Sequence, residues 1–448
     1  MAEAARRLFE ERHVSPDAVR VPAGFTVEVA ATGLNNPSSV EFDEDGNIFV
    51  AEMGSPSGWA ESPGRIVRVR DDGSTEVVIE GFSGSITGMA YYEGNFYVIE
   101  HAEHGRVYWL QEDGTRELLV DGLPGGGDHP TSDIVFAHSE RMYFGQGTRT
   151  NSGIVGTDNA WWLARHPTLH DIPGRDVVLT GKNFETQTRS IQGTVLTGAF
   201  KSYGEPISDG EMIHGSVLSS GSIMRADPDE GGEFEVFAWG LRRPFGLSVH
   251  ADGRIFCTDM GMQNRGSRGV ADGQSYMWQI REGKWYGWPD YTGGKPVTDP
   301  EFKPQNAPQS EFLMKEHPEL AEGPIISLPA GSGIAKFDFS RSPLFGSDDI
   351  AFVALMGETG SSSDLGCKVI TVDIATGYVE DFATNMHSGP ASLHQSGGLE
   401  RPIATKFDRT GEFMYILDLG IYDTNSPGIT KTLSNTGVLW RIAPSVLA

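Results

Sequence analysis

The chain has 448 residues, a formal net charge of −26, 57 glycines, 25 prolines and two cysteines. An acidic balance of this size argues against nucleic acid and anionic membrane surfaces, which need basic patches. Cys257 and Cys367 are too few for a disulfide framework or a thiolate-only zinc site, and no run of about 18 apolar residues is present to span a membrane.

Residues 1–20 are charged and helical in pattern, which predicts a short N-terminal helical extension ahead of a main domain over 21–448. The start lacks the apolar core of a secretory signal, so the protein is either cytoplasmic or has a leader outside this chain. A strand, GFTVEVAATGL, follows. From Val40 a phrase then recurs: an apolar strand ending in an aromatic, a polar turn, and an aromatic-rich strand. It reads VEFDEDGNIFVAE from Val40, MAYYEGNFYVIE from Met89 and IVFAHSERMYFGQ from Ile134. It returns as LSVHADGRIFCTD from Leu247, FDFSRSPLFGSDDIAFVAL from Phe337 and TKFDRTGEFMYILD from Thr405.

Asp-Gly pairs at 45–46, 72–73, 113–114 and 252–253 mark tight hairpins, because glycine accepts positive φ. Six such phrases with outer hairpins predict an all-β fold, a six-bladed β-propeller, whose ring can outgrow a single ordinary core. The strand near residue 25 is expected beside 438–442, closing the last blade and removing a sheet edge. Long insertions fall at about 148–220 in blade 3 and 290–323 in blade 4, and loops of that length commonly cover or bind.

Four features carry chemistry. The second strand of each phrase ends at Glu52, Glu100, Gln146, Asp259, Leu355 or Asp418. Gathered on one face, the carboxylates can hold Ca²⁺; alternatively they bond turn amides. In GGGDHPTSD, His129 sits beside Asp128, an arrangement suited to a general base oriented by a carboxylate. In WGLRRPFGL, Arg242 and Arg243 suit an anionic ligand. In TDMGMQNRG, the turn at Gly261 and Met262 can aim carbonyls at a cation. Trp285, Tyr286 and Trp288 read as packing, and His101, His104, His166 and His170 have no metal-site spacing.

His129, GLRRPFGL, the Gly261-Met262 turn and YGWP at 286–289 together resemble the glucose/sorbosone dehydrogenase family, the soluble quinoprotein sugar dehydrogenases, over nearly the whole chain after Val21. The resemblance implies a six-bladed propeller that binds pyrroloquinoline quinone (PQQ) and Ca²⁺ and oxidises the C1 hydroxyl of aldoses. It implies that His129 is the base, that Arg242 stabilises the reduced cofactor and that Arg401 meets a cofactor carboxylate. Carbonyls of Gly261 and Met262 would bind Ca²⁺. A sugar or alcohol substrate, an external electron acceptor and a periplasmic or secreted location come with it. The chain departs from the pattern at Arg243, where the family has asparagine, and at Ile403, where a second cofactor arginine falls. Two other classes share these residues: a divalent-metal-dependent propeller hydrolase or lactonase, and a non-catalytic glycan- or protein-binding propeller.

Overall fold

A computed structural model describes residues 12–54, 64–188, 191–228, 233–358, 365–423 and 431–446. Six antiparallel sheets stand around an axis, covering residues 37–79, 85–123, 131–239, 246–328, 334–385 and 402–444 (blades 1 to 6). Their innermost strands are Pro37–Phe42, Ser85–Tyr92, Thr131–Phe136, Gly246–Val249, Ile334–Phe339 and Pro402–Phe407. Each touches the next, and the sixth touches the first, so the ring is closed.

Short hydroxyls tie neighbouring blades in register. Ser38 Oγ donates to the Ile86 carbonyl at 2.8 Å, Thr87 Oγ1 to Thr131 at 2.6 Å, and Thr258 Oγ1 to Ala335 at 2.8 Å. Ser132 Oγ bonds the Pro244 carbonyl in the same manner. These bonds place the starts of the innermost strands at one level, so all six begin at one face of the ring and end at the other. Between blades the aromatic residues of the recurring phrase pack face to edge; Phe256 and Phe339 of blades 4 and 5 are 5.1 Å apart between ring centroids. Trp285, Tyr286 and Trp288 are buried, as their reading as packing residues expects.

The strand Phe25–Leu34 pairs with Gly437–Pro444, placing Val27 opposite Ile442 and Val29 opposite Trp440. Blade 6 is therefore closed by both ends of the chain. The expected N-terminal helix falls partly on residues 1–11, outside the described residues. Over residues 12–20 the structure differs from that expectation. Pro16–Ala18 form one 3-10 turn, and Val19–Arg20 pair with Thr384 and Asn385 as a fifth strand on blade 5. Pro16 suits the opening of a turn but cannot donate within a helix, and the edge of blade 5 offers the backbone partners instead. Cys257 and Cys367 are free and buried.

Between Gln146 and Ser222 the chain leaves blade 3 to form a short helix, Ala160–Leu163, and two paired ribbons. The excursion from blade 4 packs against it, bridging Leu179 to Met314. It is stapled by Asp290, which is fully buried. Its carboxylate takes Arg268 at 3.0 Å, His317 at 3.1 Å, and the Leu313 and Met314 amides at 2.8 Å each.

Midway along the axis, Lys336 of blade 5 crosses the channel. Its ammonium reaches Asp133 at 3.1 Å, Ser39 Oγ at 2.7 Å and the Thr87 carbonyl at 2.9 Å, joining blades 1, 2, 3 and 5. Removing one partner of a buried pair strands the other charge. Lys336→Ala is expected to lower stability by about 3–5 kcal/mol in urea unfolding. Combining Lys336→Met with Asp133→Asn should restore much of it, because no uncompensated charge is left inside.

Candidate functional site

The tips of the second strands do not converge as a carboxylate cage. The four carboxylates among them turn back to hold the loop that leads into the innermost strand of their own blade. Glu52 accepts the Asn35 amide at 2.7 Å. Glu100 accepts Gly84 at 2.9 Å and also the Ser83 amide. Asp259 takes the amides of Arg242 and Arg243 at 3.2 and 2.6 Å, and Asp418 takes those of Glu400 and Arg401 at 2.7 and 2.8 Å. In four blades the bonded residues lie 17 apart. In blade 3, Gln146 follows His129 at the same spacing and bonds Thr131 Oγ1 at 2.6 Å, with its amide group on the Pro124 carbonyl. Blade 5 has Leu355 at this place, and its loop is held by backbone bonds from Met356 to Gly333 and from Gly357 to Ser332. Ca²⁺ ligation by these tips is thus replaced by amide capping, each bond contributing roughly 1.5–3 kcal/mol for a charged acceptor. Among the described residues no group of three or more His, Cys, Asp and Glu could hold a metal ion.

The same capping holds Arg242, Arg243 and Arg401, and His129, whose amide bonds the Thr148 carbonyl at 3.1 Å, lies beside Arg242 and Arg243. His129 is 8% exposed, and neither ring nitrogen has a hydrogen-bond partner. Burial holds its imidazole well below the usual range, and the charges of Arg242, Arg243 and Arg265 push it the same way. It is therefore the free base at neutral pH. Arg242 is buried. Its Nε donates to the Asn151 carbonyl at 3.1 Å and its Nη2 to Asn151 Oδ1 at 3.0 Å. Burial brings its pKa down to about 10. Arg243 stacks over Phe245 at 4.7 Å, and its Nε is buried without a partner. Arg401 stacks over Tyr422 at 4.8 Å and donates to the Met356 carbonyl at 2.8 Å. Arg243 and Arg401 both act electrostatically on the Tyr422 hydroxyl, which links blades 4 and 6 across this face.

Asp128 differs from its expected part. Its carboxylate bonds Arg265 and, at 3.3 Å, Asn159 Nδ2, while the imidazole next to it in sequence is left unbonded. Arg265 also pairs with Asp158 at 2.6 Å, so one guanidinium ties the short helical insertion of blade 3 to the His129 loop. The glycines before Asp128 allow this close packing. A Cβ on Gly125 would lie 1.9 Å from the Glu103 carbonyl, and one on Gly126 would lie 2.8 Å from His166. At the Gly261-Met262 turn, the Met262 carbonyl accepts the Gly273 amide at 2.6 Å and its side chain is buried in an apolar cluster. One lone pair of the Met262 carbonyl is thus engaged, and even both carbonyls of this turn fall far short of the six to eight oxygens Ca²⁺ takes; this turn alone does not fit the ion.

Asn151, Asp158, Asn159, Arg265 and Tyr422 were not singled out from sequence. Arg265 lies four residues past Gly261 in a phrase already marked, and the first three follow Gln146 closely. Their only signal was position directly after a strand tip.

No family model and no curated protein matches the chain. Among solved structures it is similar to the PQQ-bound aldose sugar dehydrogenase of Streptomyces coelicolor, with a TM-score of 0.54 and 14% identity over 95% of this chain and 99% of that one. The holo PQQ domain of pyranose dehydrogenase from Coprinopsis cinerea gives 0.58 and 14%, over 97% and 98%. A calcium structure of the Trichoderma reesei carbohydrate-active family AA12 gives 0.58 and 14%, over 96% and 98%. These likenesses show the fold, a six-bladed β-propeller of the kind found in PQQ-dependent sugar dehydrogenases. No described helix is long and apolar enough to cross a membrane.

Beside Arg401, Glu400 is buried, and its pKa is raised by burial to about 7. The folded chain holds this proton more tightly than the unfolded chain does, so the stability it contributes is present below pH 4.5 and is lost as pH rises toward 7. Glu400→Gln is expected to flatten the Tm-versus-pH profile across that window, by an amount on the order of 3 kcal/mol. An unchanged profile would assign the titration elsewhere.

Proposed function

We propose that this propeller is an oxidoreductase that oxidises a sugar or alcohol hydroxyl with a bound anionic quinone of the PQQ type. The observation that carries the reading is His129. It is a neutral imidazole with both nitrogens unbonded, buried on the ring face among Arg242, Arg243 and Arg265. A buried polar group without a partner costs free energy unless a ligand or water completes it.

Arg242, Arg243 and Arg401 are the residues that would hold the carboxylates of such a quinone, and the unpartnered Arg243 Nε fits that demand. When bound, PQQ supplies the electron sink that takes the hydride from the carbinol carbon. His129 accepts the hydroxyl proton through an imidazole nitrogen as the carbonyl forms. An anion placed against the guanidiniums also cancels part of the charge that depresses the imidazole, making His129 a stronger base once the site is filled. The side chains of Arg265 and Asp128 position the loop and do not bond the base. The quinone-free hydrolase reading draws on the strand-tip carboxylates, and these are engaged by backbone amides. An external electron acceptor and a periplasmic or secreted setting belong to the same proposal.

The test is dye reduction with aldoses after adding PQQ and Ca²⁺ to the protein, together with the absorbance of bound quinone. His129→Ala is expected to lower turnover by at least about 100-fold while leaving Tm nearly unchanged. Full turnover in that variant would remove His129 from the mechanism, and absence of quinone binding in the parent protein would overturn the reading.

A further inference from the structure

At the opposite end of the ring from His129 lies a cavity of about 1140 Å³, bordered by the far ends of innermost strands from all six blades. It is separated from the His129 face by the Lys336 crossing, and nothing in the oxidoreductase reading uses it. In a protein of net charge −26, its wall and rim bring together Lys406, Arg341, Arg409, His138 and His250, with Glu41, Asp338 and Asp348 as the acids among them.

The carboxylates near them are largely engaged. Asp338 is buried and accepts the Phe339 amide at 3.0 Å, the Phe407 amide at 3.1 Å and Ser248 Oγ at 3.2 Å. Glu41 is paired with Lys406 at 2.6 Å. Arg341 is left with contacts of 3.4 and 3.5 Å to Asp338, at the edge of hydrogen-bond reach, and its side chain is 46% exposed. Arg409 is exposed and has no hydrogen bond or ion pair among the described residues, although Glu44 lies within electrostatic range. Asp348 is the acid that remains exposed on the rim. Aromatic wall residues such as Tyr91 and Phe407 add apolar surface. A concave site with a few convergent polar groups on an apolar wall is the usual form of a small-molecule pocket. Two guanidiniums with unspent donors select carboxylate or phosphate oxygens.

We propose that this cavity is a second binding site, for a small multiply charged oxyanion, a carboxylate or a phosphate, gripped by Arg341 and Arg409 with Lys406 behind them. The site does not depend on the chemistry at His129. Isothermal titration calorimetry with citrate, and separately with inorganic phosphate, tests it on the intact chain. One saturable site is expected for citrate, phosphate or both, and the two titrations identify which oxyanion is preferred. The double variant Arg341→Ala, Arg409→Ala should bind at least about tenfold more weakly with Tm unchanged. Arg243→Ala, on the other face, should bind as the parent does. The proposal is overturned if neither anion binds by about 10 mM, if the double variant binds normally, or if Arg243→Ala is the change that abolishes binding.

Discussion

The bond between a strand-tip carboxylate and the backbone amides of the loop 17 residues earlier sets the geometry of this protein. It is made in four blades by Glu52, Glu100, Asp259 and Asp418. A loop entering an innermost strand has unpaired amides, and an ionised acceptor at its back fixes its path. Because Arg242, Arg243 and Arg401 are themselves the residues whose amides are held, their side chains start from fixed positions on the same face. The scaffold and the candidate site thus share one interaction.

That arrangement produces a local reversal of charge. The chain is strongly acidic, yet its acids at the His129 face are turned back to backbone amides or bound to Arg265, and the guanidiniums remain on that face. Fixed cations in a partly dry recess act more strongly than they would in water. They add to burial in holding the imidazole neutral and offer an anion a place to bind.

The fold was legible in the sequence because its signals are local. An Asp-Gly turn between apolar strands specifies a hairpin wherever it falls, and six repeats of the phrase leave few architectures open. The closing strand was legible for a complementary reason: GFTVEVAATGL lies ahead of the first phrase and GVLWRIAP after the last, and pairing them completes the final blade. Arg12 to Arg20 misled because a charged, periodic segment reads as a helix until Pro16 and a free sheet edge compete for it. The site was less legible. Asp128 and His129 are adjacent, but they sit at a bend ahead of the strand, and the carboxylate finds Arg265 instead. Whether a tip carboxylate faces an axis or an amide is likewise not written in the strand itself. The spacing of 17 residues, compared blade by blade, held that answer.

Pairing the strand Phe25–Leu34 with Gly437–Pro444 also dictates when the ring can be completed. During synthesis the first of these strands emerges long before its partner, and blade 6 stays incomplete until residues 437–444 have been made. Through that interval the nascent chain carries an open sheet flank that can adhere to other chains. Closure of the ring therefore waits on that pairing, which joins segments about 400 residues apart in the chain.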